Sequence, residues 1–341
     1  ASDARNSEAD IRQTLVEQNL IYGMLTLPSN MFYTVTLPAT LWFFDKAKQD
    51  DKILFIDARN IFTPIDRAHR EFSQEQIQNI AVISKLHKGN RKAFIRLLDS
   101  YFAKGMAQLV ENQQQVEPVA KQLLEVLDDQ QGKLAVEGLL SQWQALSQLQ
   151  SHYQAYVAQA KPKLTTDADI DQQNSAQHQL RQAFDPFFES LHGGLKQLDK
   201  MVRLHEKTKA DAAKAEGKRG ATDRETKKLK EALELLHKEV KTAESFYKHI
   251  HWLQERFAGA RYEDVTGLCK LATPEEVKEQ DYSLNAGRYV GVVIEEDGKT
   301  EEEFLADLSE LNDQFITLEG DASQLAKNIR ANLIAILGEM E

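Results

Sequence analysis

A mainly α fold with a small α/β part is what this sequence predicts. A helix and three strands end a larger sheet, long helices with an antiparallel coiled-coil hairpin follow, and the carboxy-terminal region is helical. Three observations predict it. Short β-branched and aromatic runs crowd the amino-terminal end, an apolar period of 3.6 takes over from Ser73, and a heptad seam runs through Thr222 to Phe257. At 341 residues and 42% hydrophobic, the chain is long enough for two domains and a substantial core.

The first element is a helix over Ser7 to Glu17, where Ile11, Leu15 and Val16 recur at helical spacing and Ser7 offers an N-cap hydroxyl. Three apolar runs follow, at Leu20–Leu27, Leu41–Phe44 and Ile53–Ala58, separated by Pro28, Ser29 and Asn30 and by the polar stretch Asp45–Lys52. Continuous runs of this kind suit strands buried on both faces. Three such strands leave open edges and an uncovered face, so they read as the end of an α/β sheet.

From Ser73 the period is helical. Ile77, Ile80 and Ala81 share one face, and Phe94 to Val110 carries a second stripe. Val116–Leu127 reads as a further helix and Val136–Val157 as another, punctuated by Gly132 and by Lys161-Pro162. The clearest element opens on the capping-box pattern Thr222-Asp223-Arg224-Glu225. It continues with Leu229, Leu233, Leu236, Val240, Ala243, Tyr247 and Ile250, whose steps alternate between four and three. Leu191, Leu195, Leu198 and Val202 make a matching stripe upstream, and the basic stretch between them is the tip of a hairpin. Arg261–Val293 is rich in turns, with a short helix starting at Pro274. Phe304 to Leu337 is an amphipathic helical region, broken near Glu319-Gly320-Asp321. The divisions are therefore 1–72, the α/β end; 73–258, the helical block; and 259–341, the carboxy-terminal region.

A net charge of -11 argues against a surface that coats nucleic acid non-specifically, while leaving room for a local basic patch. Cys269 is the single cysteine, which excludes an internal disulfide and a structural zinc set, and suits the cytoplasm. No apolar run approaches the roughly 20 residues of a membrane span. Ala1 is not methionine, and Ser2–Glu8 lacks the apolar core of a signal peptide, so the chain reads as a fragment or processed product.

Two stretches carry a resemblance. One runs from Ile11-Arg12 through Leu27-Pro28-Ser29-Asn30-Met31-Phe32, then Leu37-Pro38 and Ile53-Leu54-Phe55-Ile56-Asp57-Ala58-Arg59. The other runs from Arg261-Tyr262 through Gly267-Leu268-Cys269-Lys270 to Asp281-Tyr282-Ser283-Leu284-Asn285-Ala286-Gly287-Arg288-Tyr289-Val290-Gly291, with Ala286 where such sequences usually hold proline. In combination they resemble the modification subunits of type I restriction-modification systems, N6-adenine DNA methyltransferases. The resemblance implies that residues 1–72 finish a Rossmann-like methyltransferase sheet. It implies S-adenosylmethionine as cofactor of the parent, the specificity (S) and restriction (R) subunits as partners, and DNA contacted through the complex. The block from Lys92 to Phe257 looks like an insertion within that pattern. The sequence lacks both a Gly-containing cofactor loop after a first strand and an Asn/Asp-Pro-Pro-aromatic loop for the flipped adenine, so no catalytic or cofactor-binding residue is expected in this chain alone. Phe184-Asp185-Pro186-Phe187 has one proline and lies in a helical region, where Asp185 as cap and Pro186 at the first turn is the simpler reading.

Candidate contacts follow, each with two readings. Phe32 and Tyr33, after the first strand, either stack on an extruded base or pack their loop onto the sheet. Arg59, Arg67, His69 and Arg70 either meet DNA phosphate or pair internally with Asp66 and Glu71. Lys218 and Arg219, with Lys214, Arg224, Lys227 and Lys228, either clamp DNA from the hairpin tip or are solvated. His249 and His251, two apart, face different ways and make no metal pair. Cys269 reads as a small buried hydrophobe. Leu325, Ile329, Leu333 and Ile336 are the anchors expected for the specificity subunit. The rival reading of the whole chain is a structural coiled-coil protein with incidental strands.

Overall fold

The computed structural model describes residues 6–127, 129–160, 164–215, 224–292 and scattered positions between 308 and 332. Helix α1 (Asn6–Glu17) starts one residue before Ser7, which sits in the first turn and is not the cap. Strands β1 (Ile21–Thr26), β2 (Thr40–Phe44) and β3 (Ile53–Asp57) follow the three apolar runs. β1 lies parallel to β3, and β2 pairs antiparallel with the other side of β1. A two-residue hairpin, β4 (Thr63–Pro64) and β5 (Arg70–Glu71), comes next. The sheet gains a fourth strand from far along the chain. β6 (Cys269–Ala272) runs antiparallel to β3 and sets the order β2-β1-β3-β6.

Both faces of β1 and β3 are covered, as continuous apolar runs require. On one face Leu25, Leu54 and Ile56 join a core that includes Ile83 of α2 (Gln74–His87). On the other face Met24, Ile53 and Phe55 meet Val16 of α1 and the segment from Val277 to Val290, with the Phe55 and Tyr289 rings stacked at 4.0 Å. β2 departs from expectation. It is an edge strand, and Leu41, Trp42, Phe43 and Phe44 are 37–54% exposed on both its faces. The apolar pattern is that of an interior strand, but nothing among the described residues covers it.

Four long helices carry the same core onward: α3 (Arg91–Val126), α4 (Gln130–Gln159), α5 (Asp167–Ala215) and α6 (Arg224–Arg256). No separate helix begins at Val116. α3 runs through Pro118, and the break falls at Leu127–Asp129, with the Asp129 carboxylate capping the Gly132 N–H at 2.8 Å. Pro186 likewise lies inside α5, so Asp185 is not a cap. A proline there removes one backbone bond. Phe184, Phe187 and Phe188 offset that loss, being buried beside Phe102, Trp143 and Tyr247.

The hairpin register can be read from three ion pairs. His192 meets Glu244 at 2.9 Å, Asp199 meets His237 at 3.0 Å, and Glu206 meets Lys230. Each step of one heptad up α5 matches one heptad down α6, so the helices are antiparallel. Leu229, Leu233, Leu236, Val240, Ala243 and Ile250 are buried in this seam, as are Leu191, Leu195, Leu198 and Val202. A polar network crosses the bundle where α3, α4 and α5 meet. Tyr156 donates to Asp99, and the Gln177 amide donates to Asp99 at 2.7 Å. Gln173 donates to the Tyr156 oxygen at 2.6 Å, so a buried hydroxyl has its partners. The Thr222 cap and the hairpin tip lie outside the described residues.

His249 fastens α6 to α2. Its Nδ1 accepts from the Asn79 amide at 3.0 Å, and the Tyr101 hydroxyl donates to the Asn79 oxygen at 2.9 Å. Burial pushes the imidazole below its ordinary pKa, with Glu75 acting weakly the other way. A depressed pKa means the neutral ring contributes stability that is present above about pH 6.5 and lost as pH falls through the folded value. The melting temperature should therefore fall on acidification from about pH 7.5 to 5.5, and His249→Gln should flatten part of that fall. An unchanged slope in the variant would assign the pH response elsewhere, His87 being the other histidine held low by burial.

Residues Val292–Glu341 form a second unit. Among its described residues Leu325 and Ile329 are helical and exposed. Glu319 and Gly320 are helical too, so the expected break does not fall on them, while Asp321, Leu333 and Ile336 lie outside the described residues.

Candidate functional site

The loop leaving β1 is built by local chemistry. Asn30 adopts a left-handed φ of 62°, which asparagine tolerates, and Phe32 and Val35 form an isolated bridge that folds the loop back. The β4–β5 hairpin then docks on it. The Arg70 N–H donates to the Asn30 carbonyl at 2.9 Å, and its guanidinium donates to Ser29 at 3.1 Å while lying 4.0 Å over the Phe62 ring. Asp66 organises the hairpin turn by accepting from the Ala68 and His69 N–H groups and the His69 ring. The His69 bond, aided by Ala68, holds this carboxyl below its usual range.

This arrangement presents Tyr33 outward. It is 92% exposed, with its ring 4.8 Å from that of His69, and Phe32 is half exposed beside it. Arg67 is exposed on the same hairpin. The structure brings Phe32, Tyr33, Arg67, His69 and Arg70 into one loop pair. His69 takes the expected partner Asp66, whereas Arg70 lies over Phe62 and Arg59 pairs with Asp57 instead. An exposed aromatic pair flanked by cations can stack on a nucleic-acid base and meet its phosphate. Lys218 and Arg219 lie outside the described residues. Lys227 and Lys228 are exposed on α6.

Arg59 faces a different feature. Its Nε and Nη2 bond the buried Asp57 at 2.9 Å and 2.6 Å, and that bond holds its pKa above the ordinary value. The guanidinium also lines a cleft of about 840 Å³ between α1, the start of β2 and the turn at 280–288. Trp42, Arg12, Arg288 and Thr26 line it too. Thr26 is 4% exposed, and its hydroxyl has no hydrogen-bond partner among the described residues. Leaving a buried hydroxyl unpaired costs on the order of 1–3 kcal/mol. Gly287 allows the close packing here, since a Cβ would fall 2.8 Å from Arg59 Nη2. Reading the sequence missed Thr26, Trp42 and Arg288. The one usable signal was position, because Thr26 ends a strand parallel to the one that ends at Asp57.

Cys269 is buried in β6, and burial pushes its thiol up to about 11, which suits the expected packing role. His249 and His251 have separate partners, Asn79 and Glu255, and no group of metal-ligating side chains occurs among the described residues.

These parts define an α/β unit with a helical bundle built out from it. The family model described as N-6 DNA Methylase matches residues 3–107 and 210–298, more than half of the sequence, so the chain belongs to that family. In sequence it is similar to type I restriction enzyme methylase subunits. Identity is 40% over 83 residues to the MjaIX subunit of Methanocaldococcus jannaschii, covering 24% of this chain and 15% of that protein. It is 36% over 81 residues to the HindI subunit of Haemophilus influenzae, covering 24% and 18%. The chain thus spans less than a fifth of the length of these relatives over the matched stretch. A crystal structure of the type I restriction-modification system methyltransferase subunit from Streptococcus thermophilus aligns at 27% identity, with a TM-score of 0.22, over 23% of this chain and 16% of that one. The family match is interrupted at 108–209, so the unmatched block is narrower than Lys92 to Phe257 and begins and ends inside α3 and α5.

Proposed function

We propose that this chain is the carboxy-terminal part of the modification subunit of a type I restriction-modification system, working in the cytoplasm in assembly and DNA contact. One observation carries the reading. The two family-matched stretches, far apart in sequence, supply β1 to β3 and β6 and meet in one sheet. The bare edge of β2 and its exposed Leu41 and Phe43 face support a sheet that continues, which fits the end of a Rossmann-like methyltransferase domain. The Tyr33 and His69 platform with Arg67 would touch DNA.

The parent would methylate adenine N6 with S-adenosylmethionine, but the residues here do not fit that cofactor. The segment leaving β1 reads Leu27-Pro28-Ser29-Asn30, without the glycine that lets a backbone close on it, and no Asn/Asp-Pro-Pro-aromatic loop occurs in the sequence. No step is assigned to this chain through it. Leu325 and Ile329, exposed on a helix, fit a grip on the specificity subunit, with Leu333 and Ile336 continuing the spacing and the restriction subunit joining the same complex. Truncation after Gly320 should leave the remainder folded, by circular dichroism, and abolish co-purification with the specificity subunit. The untruncated chain titrated with S-adenosylmethionine should show no micromolar binding. Retained co-purification by a folded truncate would move the interface off these helices, and micromolar cofactor binding would restore a catalytic role.

A further inference from the structure

We propose that the cleft between α1, the start of β2 and the 280–288 turn binds a nucleoside monophosphate, free or as one unit of a single strand. The base stacks on Trp42 and bonds Thr26, and the phosphate is held by Arg59 and Arg288. The ligand class rests on the nucleic-acid reading above, but the surface is not the Tyr33 platform.

Position is the first argument. The cleft opens where parallel β1 and β3 end, the rim on which open α/β sheets place ligands. The Thr26 hydroxyl is the second. Thr26 lines the cleft at 4% exposure, and its hydroxyl has no partner among the described residues; an unpaired buried group of this kind calls for a bonding partner. The third is the state of the cations. Asp57 engages Arg59 through Nε and Nη2, which orients the guanidinium and leaves Nη1 without a hydrogen bond among the described residues. Arg288 is exposed and makes no ion pair among those residues. Glu8 and Asp281 also line the cleft, so its cations face two carboxylates. That balance suits one phosphate and a neutral base better than a polyanion. Trp42 supplies the flat apolar face, and stacking on it tolerates any base.

The test titrates the full chain with deoxyadenosine 5′-monophosphate and, separately, with single-stranded oligodeoxyadenylate, following tryptophan fluorescence. Trp42→Phe assigns the signal against Trp143 and Trp252. Saturable quenching is expected, absent in Trp42→Phe and weakened about tenfold in the Arg59→Gln, Arg288→Gln double variant. Saturation by the mononucleotide assigns the site to the nucleotide itself, and saturation by the oligomer alone assigns it to a unit within a strand. Thr26→Val should weaken binding severalfold yet leave the melting temperature unchanged or higher, because the hydroxyl it removes has no partner in the fold. The proposal fails if neither ligand quenches at millimolar concentration, if the arginine variants bind equally well, or if Thr26→Val lowers the melting temperature. Such a failure leaves co-purification with the specificity subunit, and the reading it tests, untouched.

Discussion

Leu236→Asp should destabilise the hairpin by several kcal/mol, about 4 or more, and lower its helicity. Leu236 is 1% exposed on α6 and belongs to the same apolar cluster as Leu198, Val202 and Leu233. Removing a buried leucine side chain alone costs about 2–5 kcal/mol. The carboxylate adds either the cost of an unpaired buried charge or that of taking up a proton. The nearby cations His237 and Lys230 on the same helix already meet Asp199 and Glu206. Thermal melts followed by circular dichroism at 222 nm, a helix wavelength, compare the variant with Leu235→Asp. Leu235 is 51% exposed on the neighbouring position, so its variant should melt within about 0.5 kcal/mol of the parent. Equal effects from the two would mean that the heptad phase is wrong.

That seam was legible because its information is local. Alternating steps of four and three place Leu229 to Ile250 on one face whatever the rest of the chain does, and all of them are buried except Tyr247, which is half-buried. β1 and β3 were legible for the same reason. Their neighbours cover both faces, so an unbroken apolar run matches its surroundings. β2 carries the same pattern without those neighbours, and a sequence cannot say whether the covering layer is present. β6 was hidden because a strand of four residues, Cys269–Ala272, has too few alternations to show a period, and it exists only by pairing with β3 across a gap of more than two hundred residues. Pro186 misled for the opposite reason. A local breaker rule lost to tertiary packing of the surrounding apolar residues.

The candidate site divides along the same line. Tyr33 and the hairpin cations could be named from type and position, because exposed loop aromatics and arginines are visible as such. Of their pairings, His69 with Asp66 was among those the sequence offered, and the others were not. Asp57, two residues from Arg59, takes that guanidinium, while Asp66 turns inward to its own hairpin. The Thr26 hydroxyl is the extreme case. An unpaired buried atom is a property of everything around it, and no spacing rule announces it.

Arg91→Ala should cost about 3 kcal/mol, because one buried guanidinium ties three parts of the chain together. Arg91 is 5% exposed at the start of α3. It donates to the Ala260 and Gly259 carbonyls at 3.0 Å each, to Asp167 at 2.9 Å and to Asp171. Burial works against its charge, but the Asp171 and Asp167 bonds keep its pKa above the ordinary value. The carbonyls matter most. Ala260 is fully buried and held at a left-handed φ of 48°, a strain on the order of 1 kcal/mol that its surroundings must over-determine. Asp167 and Asp171 are exposed and would simply be rehydrated, so Asp171→Asn should cost under about 1 kcal/mol. Arg91→Lys should fall between, since a single ammonium cannot reproduce the planar fork that reaches four acceptors. The order Ala, Lys, then Asn, measured by chemical denaturation, is the expected result, and a larger loss from Asp171→Asn than from Arg91→Ala would invert the account. Asp167 and Asp171 belong to the stretch that the family match omits, whereas Arg91 and the 259–261 turn lie inside it. The same guanidinium therefore fastens the unmatched helical block to the turn that leads the chain back to β6.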